Sequence, residues 1–303
     1  MSSTLRSRIL ERFSEGPMGL SFKKTRQNKK SEKNCDSRIS QSALCASVLA
    51  SMLAVAAPAY ADGDTPSDAT WTAIKPAIFG DKAIDDAAAA TLDAPARAED
   101  AALVPIDIHI ARPAGGAPAV KAVTLVVDEN PSPQVATFTL GEGGGKFDLS
   151  TRIRVNSYSY VRLIAETSDG KLHMTKAFVK AAGGCSAPAV KDPAEAKADL
   201  GKMRFRVFAD TGRNEAQVQI HHPNYSGLQM DQVTRLYTPA WFIQTLTVSQ
   251  GAKVLFSMNG GISVSEDPTF RFTYAPNGEA VTVVAKDTQG NVFKQSFPAD
   301  GGS

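Results

Sequence analysis

The chain has 303 residues, of which 43% are hydrophobic and 21% are charged, and its formal net charge is only +2. This composition is typical of a globular protein. So small a charge surplus gives no electrostatic basis for nucleic-acid binding.

The N-terminal segment has the features of a signal peptide. A basic, polar region up to Ser42 is followed by an apolar run over residues 43–57 and then by Ala59-Tyr60-Ala61. This order predicts cleavage before Asp62 and export to the periplasm. The apolar run is short for a membrane span, so no membrane attachment is expected in the mature form. Residues 1–61 hold 10 of the 33 basic and 4 of the 31 acidic residues, so cleavage leaves a formal charge of −4.

Most of the mature chain has the pattern of β-strands. Residues 103–180 and 203–298 are rich in β-branched residues that alternate with polar ones, and Gly-containing turns separate the runs. Six or seven short strands in about 100 residues are typical of an immunoglobulin-like sandwich. The sequence therefore predicts an all-β fold with two tandem immunoglobulin-like β-sandwiches. Helical spacing of Trp71, Ile74 and Ile78 predicts a short N-terminal helical lead-in.

The composition also sets the predicted domain boundaries. Residues 1–61 form the signal peptide, 62–182 the first sandwich, 183–202 an arm and linker, and 203–303 the second sandwich. The linker is rich in alanine, contains two prolines and lacks a β-branched run.

The arm contains the cysteine of greatest interest. Cleavage removes Cys35 and Cys45 and leaves Cys185, and an odd cysteine in an exported protein indicates a free thiol or an intermolecular disulfide. Both outcomes stay open, and the second would give a Cys185-linked dimer. Gly183 and Gly184 precede the thiol, and small or polar residues follow it. Because buried cysteines usually have apolar neighbours, we predict that Cys185 is exposed.

Motifs of enzymes and cofactor sites are absent from the sequence. No G-x-S-x-G, H-E-x-x-H or C-x-x-C occurs among the 303 residues. His109 and His173 alternate with apolar residues on strands, which indicates solvated strand faces. His221 and His222 lie at a strand end and are interpreted as turn or interface residues. We therefore expect no catalytic residues, no cofactor and no metal.

Several segments resemble a known family. The segments "VPIDIHI", "DENPSPQVATFTL" and "IRVNSYSYVRLIAETSDGKLHMTKAFVKAAGGC" resemble SoxY, the sulfur-carrier subunit of thiosulfate oxidation. The segments "QIHHPNYSGLQMDQ", "TPAWFIQTLTVSQGAKVL" and "ISVSEDPTFRFTYAPNGEAVTVVAKDTQG" resemble its partner SoxZ. The order SoxY then SoxZ in one chain is similar to the fused SoxYZ-like carriers associated with quinoprotein dehydrogenases.

The resemblance implies a role for Cys185. In SoxY a glycine-rich arm carries sulfur intermediates covalently on its cysteine and enters the sites of partner enzymes. By this analogy Cys185 is the attachment residue, and Gly183 and Gly184 give the arm its flexibility. This chain has Ser186-Ala187-Pro188 after the cysteine in place of two further glycines, and its arm continues into the second domain.

The resemblance also implies partners. They would be periplasmic redox enzymes: Sox-type enzymes, a quinoprotein dehydrogenase or a cytochrome c. Because SoxY and SoxZ pair as separate chains, we expect the two sandwiches to share a large apolar contact near Trp241 and Phe242. A second hypothesis stays open, in which the protein is a non-catalytic binding or assembly module for a quinoprotein dehydrogenase or cytochrome.

Overall fold

The computed structural model describes residues 67–141, 146–188, 197–208, 214–231 and 234–299. These residues all belong to one compact unit. The predicted signal peptide and residues 189–196 of the predicted linker lie outside the described residues. Within the described ranges, no helix is long and apolar enough to cross a membrane.

Among the described residues, a helix comes first and strands follow. In the first half, the elements are α1 (Ala69–Phe79), β1 (Ile84–Asp85), β2 (Thr91–Asp93), β3 (Val104–Ile110), β4 (Val120–Val127), β5 (Gln134–Leu140), β6 (Phe147–Ile153), β7 (Ser159–Thr167) and β8 (Leu172–Val179). In the second half, they are β9 (Met203–Phe208), β10 (Glu215–Ile220), β11 (Ile243–Gln250), β12 (Lys253–Gly260), β13 (Thr269–Thr273), β14 (Val281–Asp287) and β15 (Val292–Phe297). The all-β prediction and the short N-terminal helix are confirmed.

Two sheets extend across both halves of the chain. One has nine strands in the order β1-β8-β7-β4-β5-β12-β11-β14-β15, and the other has six in the order β2-β3-β6-β13-β10-β9. The two predicted sandwiches therefore join edge to edge. β5 pairs antiparallel with β12 in one layer, and β6 pairs antiparallel with β13 in the other. Pairing in both layers covers strand edges that would otherwise be open to other chains.

Aromatic side chains fill the core where the halves meet. Phe138 lies opposite Met258 in the paired strands. Its ring centroid is 6.5 Å from that of Phe256 and 6.2 Å from that of Phe270. All four side chains are buried. Such contacts contribute both apolar burial and favourable ring geometry, so the halves form one continuous core.

The halves are held together as predicted, but at another place in the fold. Trp241 packs against His222 and Tyr225 of its own half and donates a hydrogen bond from Nε1 to Asp287 at 2.7 Å. Phe242 is half-buried beside the second half's own loop. The sequence suggested these residues because they are large and apolar, but the halves are joined by strand pairing and by the aromatic core around Phe138.

An ion pair and an apolar face fix the helix α1. Trp71 is buried on the outside of the nine-stranded sheet with Ile164 and Leu172. The buried Arg162 guanidinium lies 4.7 Å from the Trp71 ring centroid and also binds Asp68 at the start of the helix. The lead-in is therefore part of the folded unit.

Candidate functional site

Cys185 lies in a tight turn that follows β8. The amide of Ser186 donates to the Gly183 carbonyl at 3.2 Å and closes the turn. The Gly183 amide donates to the Asn156 carbonyl at 2.8 Å, and the Gly184 amide donates to the Val155 carbonyl at 3.0 Å. These bonds fix the turn along the chain segment that leaves β6.

The thiol is buried, so the prediction that it is exposed is wrong. Cys185 is a free cysteine with 0% of its surface accessible. Its flanks Gly183 and Ser186 are exposed, as the sequence suggested. The prediction failed because it judged burial from neighbours in the sequence. The cover comes instead from residues that are distant in the sequence, in the segment after β6 and in a loop of the second half.

Three side chains bind the carbonyls of the turn. Ser226 donates to the Cys185 carbonyl, Gln229 Nε2 donates to the Ala187 carbonyl at 2.9 Å, and Arg154 Nη1 donates to the Gly184 carbonyl at 3.2 Å. Ser226 and Gln229 belong to the loop between β10 and β11, and both are buried. The second half therefore forms part of the wall around the thiol of the first half.

Glycine is favoured at positions 183 and 184 for different structural reasons. Gly183 has φ of 82°, a left-handed conformation that favours glycine, and a Cβ there would meet nothing within 4 Å. A Cβ at Gly184 would lie 2.0 Å from the Ala101 carbonyl oxygen and 2.6 Å from that of Val155. Gly184 thus permits close backbone packing in this docked turn. Its predicted role in arm flexibility stays a prediction.

A buried arginine lies beside the thiol. Arg154 follows β6 and is 2% exposed. Its Nη2 donates to the Asn224 carbonyl at 3.3 Å, whereas its Nε has no hydrogen-bond partner. Asn130 links this region, since its Nδ2 donates to the Arg154 carbonyl at 2.8 Å and to Ser263 Oγ at 2.9 Å. The Ser263 hydroxyl donates to the Ser132 carbonyl at 3.3 Å and lies near the Cys185 thiol.

These surroundings keep the thiol protonated. Burial raises the pKa of the Cys185 thiol, and the nearby Arg154 charge and the Ser263 hydroxyl offset this rise only in part. Because the thiolate is the nucleophile, the docked Cys185 is unreactive. Burial likewise lowers the pKa of Arg154, whose strongest charge partner is Cys185. Arginine stays charged throughout the ordinary pH range.

His109 and His222 have structural partners. His109, predicted on a solvated face, is half-buried and lies between Asp148, at 2.9 Å, and Asp93, at 3.2 Å. His222 is buried, and its Nδ1 accepts from the Asn224 amide at 3.1 Å. In the described part of the chain, no group of three or more His, Cys, Asp or Glu side chains is arranged to hold a metal ion.

Sequence reasoning found Cys185 but missed the side chains around it. Arg154 follows the buried Ile153 and precedes the buried Val155, so strand alternation gives no sign that it points inward. Ser226, Gln229 and Ser263 come from loops whose positions depend on pairing between the halves. No local signal in the sequence indicates that they meet the turn.

Comparison with known families agrees with this arrangement. Sulfur oxidation protein SoxY matches residues 75–185, so the match ends at the cysteine of the turn. Sulphur oxidation protein SoxZ matches residues 206–298. The chain thus belongs to the carrier proteins of sulfur oxidation. It is a fused SoxYZ-like protein, with a SoxY domain followed by a SoxZ domain in a single chain.

One solved structure with a similar sequence is also a SoxY protein. The sulfur carrier protein SoxY from Chlorobium limicola f thiosulfatophilum is 26% identical over 36% of this chain and 89% of its own length, with a TM-score of 0.30. No curated protein matches the chain significantly.

Proposed function

We propose that this protein holds a small sulfur-containing group covalently on Cys185 and presents it to partner redox enzymes in the periplasm. Two findings support the proposal: the SoxY match ends at Cys185, and the thiol is free. In this proposal the protein acts as a carrier, and its partner enzymes supply the catalytic residues.

The construction of the turn carries this proposal. Cys185 is enclosed by loop side chains and by a turn whose outer residues, Gly183 and Ser186, face solvent. A short turn can leave its site by local unfolding while the sheets stay intact. The docked state protects the thiol, and the released state presents it with an ordinary pKa to a partner that activates it.

Sulfur chemistry explains why the partners are redox proteins. Joining the Cys185 thiol to the outer sulfur of thiosulfate forms one S–S bond, releases one proton and removes two electrons. A partner must accept those electrons. A Sox-type enzyme, a cytochrome c or a quinoprotein dehydrogenase system fits this requirement.

The intact mass of the protein, purified without reductant from the periplasm of its host, tests the proposal. We expect a fraction with added mass that dithiothreitol removes and that Cys185→Ser lacks. The same spectra give the N-terminus, which we expect at Asp62. Protein that never carries a removable mass, even when the host oxidises sulfur compounds, contradicts a carrier role.

The burial of Cys185 favours a second candidate, a non-catalytic assembly module in which this residue only packs. The two candidates differ in what Cys185→Ser does in the host. A carrier loses its physiological role with this change. An assembly module keeps it, provided that the variant accumulates to the normal level.

A further inference from the structure

The position of Arg154 is unusual for a residue with a purely structural role. The residue is 2% exposed, and its guanidinium donates hydrogen bonds to two neutral carbonyl oxygens, those of Gly184 and Asn224. Its Nε–H is buried without a hydrogen-bond partner. Burying a charged group costs free energy unless charge and hydrogen bonds compensate for it. A neutral thiol compensates for very little of this cost.

The charges near Arg154 leave a place for an anion. Glu266 and Asp100 interact with the guanidinium electrostatically, but ionised Cys185 is its strongest charge partner. The hydrogen bond to the Gly184 carbonyl places the guanidinium against the residue that precedes Cys185. Negative charge attached to the sulfur would therefore lie near the Arg154 guanidinium.

We infer that Arg154 is a receptor for negative charge on the group attached to Cys185, so that the carrier retains anionic sulfur groups in preference to neutral ones. The inference rests on the proposed function and specifies its cargo class. Sulfane and sulfonate groups joined to a cysteine are anionic at neutral pH. An alkyl disulfide of similar size has no charge.

Two adducts of Cys185 isolate the effect of charge. The thiolate attacks tetrathionate at an inner sulfur, forms Cys–S–S–SO₃⁻ and expels thiosulfate, so one S–S bond forms as the central S–S bond of tetrathionate breaks. The thiolate attacks methyl methanethiosulfonate at its thiomethyl sulfur, forms neutral Cys–S–S–CH₃ and expels methanesulfinate. The full chain with Cys35→Ser and Cys45→Ser leaves Cys185 as its one thiol. This chain is unfolded in urea, treated with one of the two reagents so that Cys185 carries the adduct, and then refolded.

The measurement is the protection of each adduct against dithiothreitol. Protection is the rate of adduct removal in the unfolded chain divided by the rate in the native protein, so the intrinsic reactivities of the two adducts cancel. We expect the anionic adduct to be protected about tenfold more than the neutral one. Arg154→Met should bring the two values together, whereas Arg154→Lys should keep part of the difference because it keeps the charge.

Several outcomes overturn the inference. Equal protection of the two adducts in the wild-type chain, greater protection of the neutral adduct, or an unchanged difference in Arg154→Met would each do so. If Arg154→Met fails to fold, the wild-type comparison and Arg154→Lys still decide the matter. These results leave the proposed function standing, because that fails only when protein from the host carries no adduct.

Discussion

Replacing Gly184 with alanine should release the turn that holds Cys185 inside the protein. The new methyl group would lie 2.0 Å from the carbonyl oxygen of Ala101. The atoms that it would meet, the carbonyl oxygens of Ala101 and Val155, belong to the backbone, so neither can move aside as a flexible side chain would. The docked turn must therefore shift by about 1 Å or more, which breaks hydrogen bonds of normal length.

The size of the effect follows from the bonds that hold the turn. Three side chains donate to its carbonyls, namely Arg154, Ser226 and Gln229. At roughly 1 kcal/mol each, they stabilise the docked state by about 3 kcal/mol, which corresponds to about a hundredfold in the open population. Gly184→Ala should therefore speed the reaction of Cys185 with a thiol reagent by about a hundredfold.

A matched substitution at the neighbouring glycine serves as the control. Gly183 has open space around its Cβ position but φ of 82°, and asparagine tolerates that conformation better than other residues with a Cβ. Gly183→Asn should change the labelling rate only a few-fold. The assay is stopped-time labelling of native protein with circular dichroism as a check on the fold. A Gly184→Ala protein that folds and labels as slowly as wild type would refute the reasoning.

Three further predictions concern stability. Cys185→Ser should lower the free energy of unfolding by about 1 kcal/mol, because a more polar hydroxyl replaces a fully buried thiol; an unchanged urea midpoint would contradict this. Since burial raises the pKa of the Cys185 thiol, the unfolded chain ionises first, and stability should fall as pH rises above about 8.5. Urea titrations at pH 7.5 and 9.5 measure that slope, which should be smaller in Cys185→Ser. Arg162→Met should cost about 3–5 kcal/mol, because it leaves buried Asp128 without its ion-pair partner, and Arg162→Met combined with Asp128→Leu should recover much of the loss in the same titration.

The sequence predicted the elements of this fold better than it predicted the site. Period-2 alternation, as in Val104–Ile110, depends on which face of a strand is buried, and that pattern is local. The helix around Trp71 was equally readable from its spacing. Edge-to-edge pairing of β5 with β12 joins residues that are distant in the sequence, and no periodic pattern in the sequence indicates it. The exposure of Cys185 was predicted wrongly for this reason, because its cover is assembled only after the halves pair.

The shared sheets restrict how the thiol can be released. If the two halves were joined only by a linker, the cover formed by Ser226 and Gln229 could leave Cys185 when the halves separated. Here that separation would break strand pairing in both layers and open the aromatic core around Phe138. Its cost would approach that of unfolding the whole unit, so it cannot serve a carrier in normal use. Local undocking of the turn breaks only a few hydrogen bonds, and Gly184→Ala tests this step directly.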